Sequence, residues 1–185
     1  MRCPVSTYPQ QVWSFCPRCG AREFKPSEAV RFPADELYCK ACGFRYFINA
    51  GASVIALIER SPDELLMTRR LKDPAKGTLD LPGGFVDIRE TAEQAVRREV
   101  LEECGLQVEQ AQIVNRTYWN EYTYGGITYF TLDLVYICSI IHWEDLAADG
   151  KEVETVLLRR DEINPAEIGL DSVRRVTEDY LQYRL

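Results

Sequence analysis

The residues best equipped for chemistry lie in one stretch. Glu90, Arg98, Glu99, Glu102 and Glu103 all fall between Gly84 and Leu106. If residues 91–104 form a helix, each residue turns about 100°. With Glu99 as origin, Glu103 then lies about 40° to one side and Glu102 about 60° to the other. Three carboxylates share one arc, and Ala92 and Ala95 leave room above them. Like charges one turn apart destabilise a helix. Such a cluster makes sense as oxygen ligands for a hard cation, Mg²⁺ or Mn²⁺. A solvated acidic helix face has the same pattern. Arg98 can orient a carboxylate or form an ordinary ion pair.

A second constellation is Cys16-Pro-Arg-Cys19-Gly, nineteen further residues, then Cys39-Lys-Ala-Cys42-Gly. Two pairs with a two-residue gap, at this separation, fit a four-thiolate metal site. A tight turn aims two sulfurs at one ion, and the glycine after each pair permits that turn. Four thiolates close the tetrahedral shell, so the site is structural rather than catalytic. Zn²⁺ is expected, with iron, two disulfides or four free thiols as the other readings. The chain has seven cysteines and no secretory signal core, which argues against a disulfide framework. Cys3, Cys104 and Cys138 read as small buried hydrophobes.

The spacing Gly84-x5-Glu90-x7-Arg98-Glu99-Val100-x-Glu102-Glu103-x-Gly105-Leu106 resembles the signature of the Nudix hydrolases at every specified position. At average residue usage, seven fixed residues coincide by chance about once in 10⁸ starting points. Leu81-Pro82-Gly83-Gly84 leading into it is also typical of that family. The resemblance covers 23 residues closely and plausibly extends over residues 48–185. It implies hydrolysis of a diphosphate that links a nucleoside to a second group, by water attack at phosphorus with divalent cations. It also implies metal ligation by Glu99, Glu102, Glu103 and the Gly84 carbonyl, with Glu90 and Arg98 as an orienting ion pair. The general base sits on the box helix in some members and on a later loop in others. Glu152, Glu154 and Glu121 are the downstream candidates. The cysteine module before such a domain resembles the zinc ribbon of NADH pyrophosphatases. The stretch 115–124 carries no Ser-Gln-Pro-Trp motif, so the substrate stays open among NADH, ADP-ribose and dinucleoside polyphosphates.

Arg69, Arg70, Lys72 and Lys76 precede the box and could hold phosphates or be ordinary surface charge. Tyr118, Trp119, Tyr122 and Tyr124 could stack on a base, or simply pack. Alternation along a strand would put Tyr118, Asn120, Tyr122 and Tyr124 on one face. Tyr122 and Tyr124 fall where dinucleoside-polyphosphate hydrolases often carry tyrosine. His142, the only histidine, reads as structural.

These residues need elements to hold them. Thr91 with Gln94 forms a potential capping box, and Gly105 stands at a helix C-terminus, which bounds a helix over 91–104. Strands are expected at 53–58 and 64–69, joined by Ser61-Pro62-Asp63, with a loop at 72–84. Further strands are expected at 106–114, 118–124 and 127–141, the last two joined by Gly125-Gly126. A last strand at 153–158 and a helix at 171–183 complete the chain. The fold class is α/β: a Nudix-type α/β/α sandwich with a mixed sheet over residues 48–185, preceded by a zinc ribbon at 1–47. The 185 residues carry 22 Lys and Arg against 29 Asp and Glu, a net charge of −7. Residues 1–47 hold +3 of this and residues 48–185 hold −10. The acidic body disfavours nucleic acid as partner. No run approaches the roughly 18 apolar residues of a membrane span. The expectation is a cytoplasmic enzyme acting on a small nucleotide diphosphate, with a homodimer suggested by resemblance. The other reading is a Nudix-fold module that binds a nucleotide or RNA and regulates.

Overall fold

The computed structural model describes residues 8, 12–22, 24–26 and 36–182. Cys3 and Tyr183 lie outside the described residues. The strands in chain order are β1 (Phe24–Pro26), β2 (Glu36–Cys39), β3 (Arg45–Phe47), β4 (Gly51–Leu57), β5 (Glu59–Ser61), β6 (Glu64–Arg70), β7 (Leu79–Asp80), β8 (Gly83–Phe85), β9 (Val108–Tyr124), β10 (Ile127–Ile140) and β11 (Val153–Arg159). The α-helices α1 (Ala92–Cys104) and α2 (Asp171–Leu181) accompany them. The chain divides into two compact units. One comprises the described part of residues 1–50 with residues 122–130, the other residues 51–121 with the described part of 131–185.

In the first unit, β1, β2 and β3 form an antiparallel sheet in that order. Cys16, Phe24, Leu37 and Cys39 are its buried core. The turn end of the β9–β10 hairpin belongs here, with Tyr122 stacked on Tyr129 and Tyr8 stacked on Phe130.

The second unit holds a mixed sheet of order β8-β4-β10-β9, in which β4 and β10 run parallel. An antiparallel sheet β11-β6-β5 has β7 paired to β6. Side chains alternate across a strand, so β4 serves two cores at once. Val54 and Ala56 pack with Val96 and Val100 of α1, while Ile55 and Leu57 pack with Val173 and Val176 of α2. Strand β6 divides likewise, with Leu66 on the α1 side and Leu65 and Met67 on the α2 side. The result is the expected α/β sandwich.

Helix α1 has the expected bounds for the expected reasons. Thr91 Oγ1 accepts from the Gln94 N–H (3.2 Å), and Gln94 Oε1 accepts from the Thr91 N–H (2.8 Å). Gly105 ends the helix at φ 69°, with its N–H on the Leu101 carbonyl. Three expectations change. The strands read at 106–114 and 118–124 are one continuous strand, β9. Arg116, in the gap between them, and Tyr118, at the start of the second, are both held by α2, where Asp179 accepts from each. The loop read at 72–84 contains β7 and β8, two short segments whose backbones pair with β6 and β4. The C-terminal helix, read to 183, ends at Leu181.

Gly105→Ala is expected to destabilise the protein. It forces a side chain into the left-handed region, and the added Cβ would come 2.9 Å from the Asp145 carbonyl oxygen. The loss should exceed about 1 kcal/mol. A Tm lower by at least about 2–4 °C in calorimetry checks it.

Candidate active site and metal centre

The two cysteine pairs form matching turns. The Gly20 N–H donates to the Cys16 carbonyl (2.8 Å), and the Gly43 N–H donates to the Cys39 carbonyl (2.9 Å). Both glycines are left-handed, at φ 74° and 73°. All four sulfurs lie within 4.8 Å of one another. Cys16 and Cys42 are 3.8 Å apart at sulfur, and Cys19 and Cys39 are 3.7 Å apart. A tetrahedron with metal–sulfur bonds of about 2.3 Å has sulfur edges of about 3.8 Å. The donor set therefore fits a Zn²⁺-sized ion, and Cys16–Cys42 and Cys19–Cys39 are set wider than a disulfide's sulfurs. Cys104 and Cys138 are buried among apolar side chains, as read.

Four packed thiols also disturb each other's titration. Burial raises the Cys16 thiol, but the Cys19 and Arg18 N–H groups outweigh it and bring it down to about 7. Cys19 accepts from the Ala21 N–H, yet the crowding thiols, Cys42 first, push it up to about 12.

The carboxylate site is built by α1 and β8. Gly83 and Gly84 pair with Ile55 and Val54 of β4. A Cβ at Gly83 would run into the Val54 carbonyl and lie 3.1 Å from the Ile55 Cα. A Cβ at Gly84 would lie 2.6 Å from the Glu99 carboxyl carbon. The bare backbone lets β8 lie close against β4 at Gly83 and leaves the Glu99 carboxylate its place at Gly84.

Arg98 organises the site. Its Nε and Nη2 hold the two Glu90 oxygens, each at 2.9 Å. Nη2 also donates to the Phe85 carbonyl (2.9 Å), and Nη1 to Glu99 (2.8 Å) and Glu102 (3.1 Å). These bonds, Glu90 first, hold Arg98 far above its ordinary pKa. Arg98, followed by the Asp87 N–H, holds the Glu90 carboxyl below the usual range. Burial pushes Glu99 up, against the pull of Arg98. Glu103 turns the other way, and its Oε2 accepts from the Gly83 N–H (3.1 Å). Burial pushes it up to about 9, opposed by that N–H and reinforced by Asp80 and Glu99.

The three glutamates thus share a helix face without gathering into one cluster. Like charges on adjacent turns repel, and Arg98 and the Gly83 N–H take up that repulsion. Among the described residues, the four cysteines are the one set of three or more ligand atoms that converges.

The remaining sequence candidates are dispersed. Arg70 is committed internally, with Nε on the Pro74 carbonyl and Nη1 on Asp80 Oδ2, both at 2.6 Å. Arg69 donates to the Gly77 carbonyl (2.9 Å). Lys72 pairs with Glu152 (3.0 Å), and Lys76 is exposed. Glu154 is exposed and stands opposite Arg69 in the β6–β11 ladder, and Glu121 is exposed. Tyr122 and Tyr124 belong to the first unit and Glu99 to the second. Tyr118 is buried in the α2-side core, and exposed Trp119 lies under the Arg175 guanidinium at 5.2 Å. His142 is exposed and bonded to Glu144 (3.0 Å).

Sequence reasoning missed Gly83 as a donor, Asp80, and Asp149. Asp149 accepts from the N–H groups of Lys151, Glu152 and Val153, and its own N–H donates to the Glu103 carbonyl. A polar residue between Leu79 and Leu81 was the available signal for Asp80.

Protein purified without added metal should contain one zinc or iron per chain by elemental analysis, lost in Cys39→Ser. A folded, metal-free protein with four titratable thiols would contradict this. The second expectation concerns pH. A carboxyl whose folded pKa is raised favours the fold when protonated. Its stabilisation is complete below its ordinary value of 4.5 and is lost as pH rises toward about 9. In EDTA-treated protein, Tm should fall between pH 5 and 9, and less steeply in Glu103→Gln. Identical slopes would contradict the assignment.

The sequence profile described as the NUDIX domain matches residues 49–179. The NAD-capped RNA hydrolase NudC of Stutzerimonas stutzeri is 35% identical over 105 residues, covering 57% of this chain and 36% of that protein. The ADP-ribose pyrophosphatase of Methanocaldococcus jannaschii is 41% identical over 63 residues, covering 34% of this chain and 37% of that one. The chain spans little more than a third of the length of these curated relatives. In fold, it is similar to a NUDIX hydrolase from Nitrosomonas europaea, with TM-score 0.71 at 24% identity, covering 93% of this chain and 92% of that one. The NUDIX domain of Shewanella oneidensis NrtR, solved with ADP ribose, matches with TM-score 0.60 at 17% identity, covering 75% and 91%. With the profile match spanning most of the chain and the box helix set against Gly83 and Gly84, the chain belongs to the Nudix hydrolase family.

Proposed function

We propose that this protein is a Mg²⁺- or Mn²⁺-dependent pyrophosphohydrolase that cuts a diphosphate linking a nucleoside to a second group. The observation that carries the reading is the Arg98 clamp, which grips Glu90 and orients Glu99 and Glu102 beside the Phe85 carbonyl. Glu99, Glu102, Glu103 and the Gly84 carbonyl would hold the cations. Oxygen donors of this charge suit a hard divalent ion. Bound there, such an ion acidifies water and neutralises phosphate charge. Phosphoryl transfer asks little more of a protein than positioning and electrostatics. The protein's part is to keep three carboxylates on one helix face without collapse. Arg98 does this by holding Glu99 from one side, while Glu90 keeps Arg98 from swinging away. Water is to be activated by a carboxylate, with Glu152, Glu154 and Glu121 as candidates.

The relatives' names, NAD-capped RNA hydrolase and ADP-ribose pyrophosphatase, point to substrates of the NAD and ADP-ribose class. Both contain a diphosphate between two ribosyl groups. The four-cysteine module over residues 1–47 is assigned a structural Zn²⁺, and residues 48–185 the hydrolase domain.

The test is a panel of NADH, NAD, ADP-ribose, dinucleoside polyphosphates and nucleoside triphosphates, each with Mg²⁺, Mn²⁺ or EDTA, read by mass. Metal-dependent cleavage of one class is expected. Glu103→Gln should lower kcat by at least roughly 100-fold, a barrier increase of about 3 kcal/mol. Glu90→Gln should cost roughly 10–100-fold, because it frees the residue that orients the ligands. Nucleotide binding without product release, from folded and zinc-loaded protein, would turn the reading to a regulatory binding module.

A further inference from the structure

We propose that Arg70 and Asp80 are positioning residues, whose ion pair fixes Leu81–Gly84 and thereby the backbone that faces Glu103 and Glu99. This rests on the metal-site reading above. It replaces the reading of Arg70 as a phosphate ligand.

Asp80 is a carboxylate only 5% exposed, and among the described residues Arg70 is its one salt-bridge partner. An acid so buried needs a reason to be charged there. Leu79 and Leu81 join the α2-side core, so by strand alternation Asp80 points toward the α1 side. Glu103 lies on that side, with its Oε2 on the Gly83 N–H.

The linkage from the pair to the site is short and continuous. Asp80 Oδ1 accepts from the Leu81 N–H (2.8 Å). The Pro82 carbonyl accepts from the Ala56 N–H (2.8 Å). The Gly83 N–H donates to Glu103, and Gly84 stands against Glu99. The clash awaiting any Cβ at Gly83 shows how little slack this segment has. On its other side, Arg70 ties the preceding loop. Its Nε donates to the Pro74 carbonyl, its N–H to the Thr78 carbonyl (3.0 Å), and its own carbonyl accepts from the Gly77 N–H (2.8 Å). With Nε and Nη1 spent on Pro74 and Asp80, each side-by-side donor pair of the guanidinium has one member already engaged.

The test uses the zinc-loaded full chain, with Arg70→Lys, Asp80→Asn and the double variant. Mn²⁺ affinity is measured without substrate, beside KM, kcat and Tm. Arg70→Lys keeps the charge and loses the fork, so it separates geometry from electrostatics. Each single variant should weaken Mn²⁺ binding by about tenfold. The double should be little worse than the weaker single, because both break one interaction. KM should stay within about twofold. Folded variants with wild-type Mn²⁺ affinity would overturn the proposal. So would an Arg70→Lys whose KM rises about tenfold while Asp80→Asn leaves KM unchanged, since that marks a substrate contact. If Asp80→Asn fails to fold, Arg70→Lys decides. If the wild type binds Mn²⁺ no better than Glu103→Gln, the metal-site reading falls and the proposal falls with it. Wild-type binding that Glu103→Gln abolishes and these variants preserve sinks the proposal alone.

Discussion

The close approach of β8 to α1 at Gly83 and Gly84 is the constraint on which the site depends. A strand cannot normally lie against a row of glutamates, because its side chains would displace them. At Gly84 the missing Cβ leaves the room that the Glu99 carboxylate takes, at Gly83 it lets β8 lie close against β4, and pairing with β4 fixes the strand where it must be. The helix is fixed independently, by Val96 and Val100 in the core and by caps at both ends. Glu99 and Glu103 are therefore brought to a backbone by packing on their opposite side. Their charge is tolerated because the hydrophobic contacts of α1 outweigh it.

Containing that charge shapes the surroundings. Arg98 is a better counter-ion here than lysine would be, because its planar fork binds Glu90 with two bonds and still reaches Glu99, Glu102 and the Phe85 carbonyl. Arg70 performs a parallel task for Asp80. A single amide N–H holds Glu103, and burial pushes this carboxyl up to about 9.

The cysteine module solves a different problem with the same economy. Its three strands are three or four residues long and bury few side chains. A core that small supplies little stability, and the four converging sulfurs could hold a metal ion that would add to it.

The sequence by itself determined whatever depends on near neighbours along the chain. The bounds of α1 follow from Thr91, Gln94 and Gly105, all within one turn of its ends. The cysteine turns follow from five-residue segments with glycine last, and the carboxylate face follows from helical repeat alone. The tertiary structure decided which partner each charge would find. Nothing near Arg70 along the chain says that Asp80 will occupy it, since β6 and β7 must first pair. Nothing in the box says that Glu102 will stay on Arg98 while Glu103 turns to Gly83, because that depends on where β4 holds β8. Strand β9 reads as two strands for the same reason: Arg116 and Tyr118 are held by Asp179, some sixty residues away on α2. Local backbone preference is encoded over a few residues, whereas electrostatic and hydrogen-bond partners are chosen only when distant strands and helices come together.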